Sequence, residues 1–208
     1  MIFMINLILS DTKRSLNYVQ EILKNNININ KIILYSEKNG LVSKFIKKKK
    51  KEKLLISCKT KNINSNQILR KLELNTSKQN VISTYPGEIV KNSKLLKKGL
   101  LHCHPGDLPK FKGSTTIYYS IILKKKICVT LFLMKKKIDD GEIFYKKYFN
   151  YPKNLSQIEK NFDDEIRAKT LVEYLKYKKK IKFKKTNREF LPYYIAHPII
   201  RHLVLKKR

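Results

Sequence analysis

Residues 100–113, LLHCHPGDLPKFKG, concentrate residue types that are rare in the rest of the chain. They hold two of the 4 histidines, two of the 6 prolines and two of the 6 glycines in 208 residues. The apolar start, LLHCH, predicts a buried strand, and the Pro-Gly pair after it predicts a turn with a demanding backbone geometry. Because alternate side chains of a strand share a face, His102 and His104 are expected on one face and Cys103 on the other, in the packing.

Short apolar runs alternate with amphipathic runs on both sides of this stretch. Strands are predicted near residues 3–10, 31–37, 54–60, 80–85, 127–134 and 142–149. Helices are predicted near residues 11–26, 41–53, 65–74, 114–123, 154–180 and 198–207, the first with Asp11 as its N-cap. This alternation is typical of an α/β fold with a mostly parallel, twisted sheet.

Two loops with similar sequences follow predicted strands, YPGE at residues 85–88 and HPGDLP at residues 104–109. Parallel sheets place their functional sites at the carboxyl ends of strands, so these two loops are the expected location of a site. No GxGxxG follows the first strand and no GxxxxGK[ST] occurs, which argues against dinucleotide and P-loop sites.

The chain carries a formal net charge of +31, which is typical of proteins that bind nucleic acid. The excess is nearly all lysine, however, and it comes with many Asn, Ile and Tyr residues, no Trp and two alanines. An AT-rich genome favours this set of residues. Genome composition therefore explains the charge better than a selected nucleic-acid surface.

The 3 cysteines are widely spaced and form no CxxC pair, which predicts a reducing, cytoplasmic location. The apolar N-terminus, MIFMINLILSD, has neither a basic leader nor a small-residue cleavage site. It is also too short for a spanning helix, so we interpret it as a first buried strand and expect no membrane association.

The Asp-Asp-Gly sequence at residues 139–141 lies between the last two predicted strands, and one of its two carboxylates would meet the histidines if the strands that carry them are neighbours. A histidine beside a carboxylate is the basic unit of proton transfer near neutral pH. The alternative is structural, with His104 bonding loop carbonyls and Asp139 capping a turn.

The sequence HPGDLPKFKG, followed by Asp139-Asp140-Gly141, resembles the formyltransferase signature Asn-x-His-Pro/Gly-Ser-Leu-Leu-Pro-x-Tyr/Trp-Arg-Gly with its later Asp-x-Gly. The firm part of the resemblance covers about residues 83–149. It implies a Rossmann-like, three-layer α/β fold and an N-formyltransferase that uses 10-formyltetrahydrofolate as co-substrate. No metal is implied.

The resemblance also implies site residues. His104 and Asp139 match the catalytic histidine and aspartate, and His102 stands where the family has an asparagine that donates to the formyl oxygen. We expect both histidines to stabilise the oxyanion and Asp139 to orient His104 and accept a proton from the amine. The residues expected to line the folate site are Gly106, Asp107, Leu108, Pro109, Tyr85 and Ile138.

The acceptor is expected to be a primary amine. The segments STYPGEIV, KGSTTIYYS and YYIAHPIIRHLVL resemble the small formyltransferases of modified sugars, so an amino-sugar nucleotide is favoured. Methionyl-tRNA is second and glycinamide ribonucleotide third. Residues 1–150 are predicted to form the catalytic domain and residues 151–208 a helical extension packed on it.

Three alternatives remain open from the sequence. A metal-dependent hydrolase could use His-x-His with Asp139, but its further ligands would have to come from His197 and His202, whose spacing does not suit one helical face. A basic nucleic-acid-binding module rests on charge alone. A degenerate, inactive formyltransferase-like protein is open because of His102.

Overall fold

The computed structural model describes residues 4–36, 40–73, 79–123, 125–177 and 190–206. Its strands are β1 Ile5–Ser10, β2 Ile29–Tyr35, β3 Leu55–Cys58, β4 Gln79–Ser83, β5 Leu100–His104, β6 Ile127–Leu133 and β7 Ile143–Phe149. Its helices are α1 Lys13–Lys24, α2 Leu41–Lys48, α3 Asn66–Glu73, α4 Ser93–Leu96, α5 Thr116–Ile122, α6 Asp163–Tyr177 and α7 Pro198–Lys206. The sequence prediction missed the single turn of α4.

The strands form a seven-stranded sheet in the order β3-β2-β1-β4-β5-β6-β7. Strands β1 to β5 pair in parallel and β6 pairs with β7 antiparallel. The predicted α/β class with a mostly parallel sheet is therefore confirmed. The antiparallel pair arises because the loop between β6 and β7 is too short for a crossover helix, so the chain returns as a hairpin.

The chain divides into two compact units, Met1–His102 and Cys103–Arg208. In the first unit, β1 is buried along its whole length. Its sequence, INLILS, allows this because its single side-chain amide is hydrogen-bonded. The buried Asn6 amide donates to the side-chain oxygen of Asn80 at 2.9 Å and its own oxygen accepts from Asn30 at 2.8 Å. In the second unit, α6 packs against β6 and β7. The proposed domain boundary at residue 150 stays a prediction.

The predicted N-cap of α1 is wrong by one residue. Thr12 is the cap, and its hydroxyl accepts from the backbone N–H of Ser15 at 3.2 Å. The buried Asp11 carboxylate instead accepts from the backbone N–H groups of Gly40 at 2.7 Å and Val42 at 3.2 Å, at the start of α2. Asp11 and Thr12 are adjacent and both are residue types that cap helices, so the sequence pattern was ambiguous. In the structure the Asp11 carboxylate binds the N-terminus of α2 instead of that of α1.

Among the residues that the structure describes, no helix is both long enough and apolar enough to cross a bilayer.

Candidate active site

Strand β5 ends at His104, whose residue surface is 3% exposed. The alternation predicted for LLHCH is confirmed for Cys103, which is fully buried in the packing. The buried ring of His104 has both nitrogens close to oxygen atoms of the second unit. The oxygen atoms next to the two ring nitrogens therefore decide which nitrogen of the neutral His104 ring carries the hydrogen.

The Nε2 atom of His104 lies 2.6 Å from the carbonyl oxygen of Phe111, to which it donates a hydrogen bond. Gly106 makes this contact possible. A Cβ atom at that position would lie 2.5 Å from His104 Nε2 and 2.5 Å from the Phe111 oxygen, closer than side-chain atoms come. The Pro-Gly pair of the signature is thus a site where a ring and a carbonyl approach the backbone.

The Nδ1 atom of His104 faces Asp139, with 3.4 Å to Oδ2 of the carboxylate. The same Oδ2 accepts a hydrogen bond from the backbone N–H of Gly113 at 2.7 Å. Asp139 has a left-handed backbone conformation, φ 48°, which aspartate tolerates better than most residues. The expected meeting of His104 with the Asp-Asp-Gly loop is therefore present in the structure.

Burial lowers the pKa of His104 below its ordinary value of 6.5, because an imidazolium loses hydration inside the protein. The Asp139 carboxylate and the Phe111 carbonyl oppose this effect but do not overcome it. The neutral ring with its hydrogen on Nε2 leaves a lone pair on Nδ1. His104 is then a proton acceptor at Nδ1, and the carboxylate beside it would stabilise the charged ring.

Two side chains that the sequence did not single out fix the loop after β5. The buried Thr130 hydroxyl donates to the Gly106 carbonyl at 2.6 Å and accepts from the Leu108 N–H at 3.3 Å. The ammonium group of Lys146 bonds the Asp107 carboxylate at 2.6 Å. A threonine in the apolar run ICVTLFLM was the signal that could have identified Thr130.

The segment around Tyr193 holds the next part of the loop. Its backbone N–H donates to the Lys112 carbonyl at 2.8 Å, and its carbonyl accepts from the Ser114 N–H at 3.2 Å. The Tyr193 ring stacks on Phe111, with 5.4 Å between ring centroids and 10° between planes. Residues 111–114 are therefore held by the Tyr193 segment and also contact His104 and Asp139.

The remaining predicted residues divide between the two units. His102 and Tyr85 belong to the first unit. The half-buried His102 donates from Nδ1 to the Ile82 carbonyl at 3.3 Å, and the Tyr85 hydroxyl donates to the Ser36 carbonyl at 2.9 Å. Their participation in the site stays a prediction, as does that of Leu108 and Pro109.

Ile138, beside Asp139, exposes 46% of its surface. An exposed apolar side chain next to the contact of His104 with Asp139 is compatible with a wall for a flat, apolar ring. Among the described residues, no group of three or more His, Cys, Asp and Glu side chains is arranged to hold a metal ion. His197 and His202, the further ligands of the hydrolase hypothesis, are both exposed.

Solved structures of known enzymes share this architecture. A sugar N-formyltransferase from Shewanella sp FDAARGOS_354 aligns with 99% of this chain and 87% of its own, at TM-score 0.60 and 18% identity. The phosphoribosylglycinamide formyltransferase of Streptococcus pneumoniae TIGR4 aligns with 82% of this chain and 97% of its own, at TM-score 0.63 and 15% identity. The chain has the formyltransferase fold. The resemblance inferred from residues 104–113 and 139–141 is thereby confirmed at the level of the fold.

Two further comparisons concern ligands and sequence. An N-formyltransferase from Helicobacter canadensis, solved with folinic acid and dTDP-3-aminofucose, aligns with 93% of this chain and 71% of its own, at TM-score 0.55 and 19% identity. The methionyl-tRNA formyltransferase of Orientia tsutsugamushi (strain Boryong) is 28% identical over 89 residues, which are 37% of this chain and 29% of that protein. The chain thus matches less than a third of the length of that curated relative. No family model matches the sequence.

Proposed function

We propose that this protein is an N-formyltransferase that moves a formyl group from 10-formyltetrahydrofolate to a primary amine. The observation that carries the proposal is the contact of buried His104 with the partly buried Asp139, 3.4 Å apart, beside the loop that bears the formyltransferase signature. The formyltransferase fold supports it, since the signature residues lie at the end of β5 as that resemblance implies.

The pair can move the proton that formyl transfer requires. An amine that attacks a formyl carbon must lose a proton, and the departing nitrogen of the donor must gain one. Nδ1 of neutral His104 accepts the first proton, and the Asp139 carboxylate stabilises the resulting imidazolium until the proton moves on. The Nε2–H of His104 bonds the Phe111 carbonyl, and the Nδ1–H of His102 bonds the Ile82 carbonyl. We therefore assign stabilisation of the formyl oxygen to the Nε2–H that His102 carries in its imidazolium form, in which both ring nitrogens are donors.

The co-substrate supplies the formyl group, and the proposed lining fits its chemistry. Gly106, Asp107, Leu108 and Pro109 would contact the reduced folate, with Tyr85 and Ile138 as walls. The exposed Ile138 side chain offers the apolar surface that a fused ring covers. The Helicobacter relative, which was solved with folinic acid, supports a folate in a fold of this kind.

An amino-sugar nucleotide is the acceptor that we favour. The likeness to the Shewanella sugar N-formyltransferase covers 99% of this chain, and the Helicobacter relative was solved with an amino-sugar nucleotide. Methionyl-tRNA is the second candidate, supported by the match to the Orientia enzyme. Either acceptor would present its amine to the same proton acceptor.

The test is release of tetrahydrofolate from 10-formyltetrahydrofolate in the presence of 3-amino- and 4-amino-sugar nucleotides, charged initiator tRNA or glycinamide ribonucleotide. We expect His104→Ala and Asp139→Asn each to lower the rate at least about a hundredfold while the protein stays folded, as general acid-base groups do. The matched control is Asp140→Asn, since that half-exposed carboxylate bonds the Lys112 ammonium at 3.2 Å, whereas His104 faces the neighbouring Asp139. Near-normal turnover in both His104→Ala and Asp139→Asn would end the proposal, and folate binding without turnover with any amine would favour the degenerate alternative.

A further inference from the structure

Helix α6 carries a buried arginine next to the end of β5. Arg167 is 6% exposed, and its Nη1 donates to the carbonyl oxygen of Cys103 at 3.0 Å. Its Nε and Nη2 donate to the two oxygens of Asp163, one helical turn earlier, at 2.7 and 2.8 Å. Cys103 directly precedes His104, so the guanidinium is bonded to the residue just before the one that bears the reactive ring.

This geometry suits an arginine and no other side chain. The planar guanidinium binds both carboxylate oxygens on one edge and still has a donor for a carbonyl, whereas a lysine ammonium has no such fixed fork. A buried ion pair of this kind contributes little net stability when compared with apolar residues of similar volume. Its presence beside β5 therefore calls for an explanation other than packing.

The charges that face His104 come from three parts of the second unit. The β6–β7 loop presents the Asp139 carboxylate, the segment after β5 presents the Phe111 carbonyl, and α6 presents Arg167 with Asp163. Burial lowers the pKa of His104 most strongly, Asp139 and the Phe111 carbonyl raise it, and Arg167 lowers it further while Asp163 raises it. The two members of the ion pair thus act on the same ring with opposite signs.

We propose that Arg167 is a positioning residue for formyl transfer, which holds the end of β5 through the Cys103 carbonyl and places its positive charge, paired with Asp163, near the ring of His104. The inference rests on the proposed function for its catalytic meaning. Its electrostatic part concerns this chain alone and is measurable without any substrate.

The test follows the protonation of His104 directly. The chain has 4 histidines, so the imidazole signals of a ¹³C-histidine-labelled sample are few, and His104→Gln identifies the one from His104. Arg167→Met should move the His104 titration to higher pH, on the order of one pH unit, because a positive charge is lost and the Asp163 carboxylate is left unbalanced. Asp163→Asn should move it to lower pH. General loosening of the fold cannot produce shifts of opposite sign.

Two further variants keep the proposal falsifiable. Arg167→Lys retains the charge, so the His104 titration should stay near that of the wild type while turnover falls several-fold through the lost fork. If Arg167→Met does not fold, Asp163→Asn and Arg167→Lys carry the same test. A His104 titration that is unmoved by Asp163→Asn and by every Arg167 variant that folds would overturn the proposal.

Kinetics separate this proposal from the function on which it rests. If formyl transfer is the activity, the acid limb of kcat/KM against pH should move in the same direction as the His104 signal in each variant. Opposite shifts of the His104 signal without turnover in the wild-type protein would contradict the proposed function and support the electrostatic action of Arg167. Turnover whose acid limb ignores both substitutions would contradict the action of Arg167 and leave the function standing.

Discussion

The loops that follow β4 and β5 begin with nearly the same residues and do different things. Each has a Pro-Gly pair followed by an acid, YPGE after β4 and HPGD after β5. In the first loop the acid is the centre of the local structure. Glu88 accepts from the Tyr35 hydroxyl at 2.6 Å, the Ile63 N–H at 2.9 Å and the Tyr85 N–H at 3.2 Å. That carboxylate stabilises backbone and side-chain donors.

In the second loop the acid, Asp107, pairs with Lys146, and the carboxylate that contacts the histidine comes from the separate loop between β6 and β7. The glycines differ in the same way. A Cβ atom at Gly87 would meet nothing within 4 Å, whereas one at Gly106 would strike the His104 ring and the Phe111 carbonyl. The same short pattern therefore encodes a simple turn in one loop and a close approach in the other, and only the second accompanies a buried histidine beside a carboxylate.

Alanine substitutions of the two glycines, Gly106 and Gly87, should give the largest difference between the two loops. Gly106→Ala should break the bond between His104 and Phe111, lower the free energy of unfolding by about 3 kcal/mol and reduce turnover at least about a hundredfold. Gly87→Ala meets no neighbour, and its cost should be about 1 kcal/mol from its left-handed backbone, φ 79°. Denaturant unfolding and the tetrahydrofolate assay give both numbers.

The comparison would be wrong if the two alanine variants lost equal stability and equal activity. It would also be wrong if Gly106→Ala kept full turnover, since the His104–Phe111 contact would then be dispensable.

The sequence was sufficient for the fold class and for one contact of the site. Alternating apolar and amphipathic runs predicted the strands, and two residues of rare type, His104 and Asp139, marked a contact between distant loops. The residues that fix this contact have no such mark. Thr130, Lys146 and Arg167 are ordinary residue types, and their importance lies in which backbone carbonyl or carboxylate they reach.

The misassigned Asp11 has the same cause. Local rules rank capping residues by their neighbours in the chain, but the carboxylate of Asp11 binds Gly40 and Val42, whose positions depend on the packing of α2. Long-range partners of polar side chains are decided by the assembled sheet, and a single sequence gives no direct signal for them.

A smaller loss of stability should follow from neutralising Glu88, the carboxylate of the loop after β4. Glu88→Gln removes the charge from three hydrogen bonds while nearly keeping the shape, so we expect the free energy of unfolding to fall by about 2 kcal/mol. The tyrosine that donates to Glu88, Tyr35, is fully buried. Burial and the Glu88 carboxylate both raise the pKa of the Tyr35 hydroxyl group above 10.0. The hydroxyl group therefore stays neutral and needs the Glu88 side chain as its hydrogen-bond acceptor. Glu52→Gln, at an exposed carboxylate, is the matched control and should change stability by less than about 0.5 kcal/mol. Equal effects of the two substitutions would show that Glu88 is not the centre of its loop.

The smallest effect that we expect is a dependence of stability on mildly acidic pH, and it should belong to the second loop. Burial lowers the pKa of His104 below 6.5, so an unfolded chain binds a proton below that pH that the native ring does not. The contribution of His104 to the free energy of unfolding should therefore be constant above pH 6.5. It should fall as the pH decreases through the pKa of the folded protein, by at most about 1.4 kcal/mol per pH unit.

Denaturant unfolding of the wild type and His104→Gln between pH 7 and pH 5 measures the difference. The variant should lose this slope and His202→Gln, at an exposed position in α7, should keep it. If His104→Gln and the wild type have the same slope, the native ring takes up its proton as readily as a solvated one, and the neutral proton acceptor inferred at Nδ1 is not present.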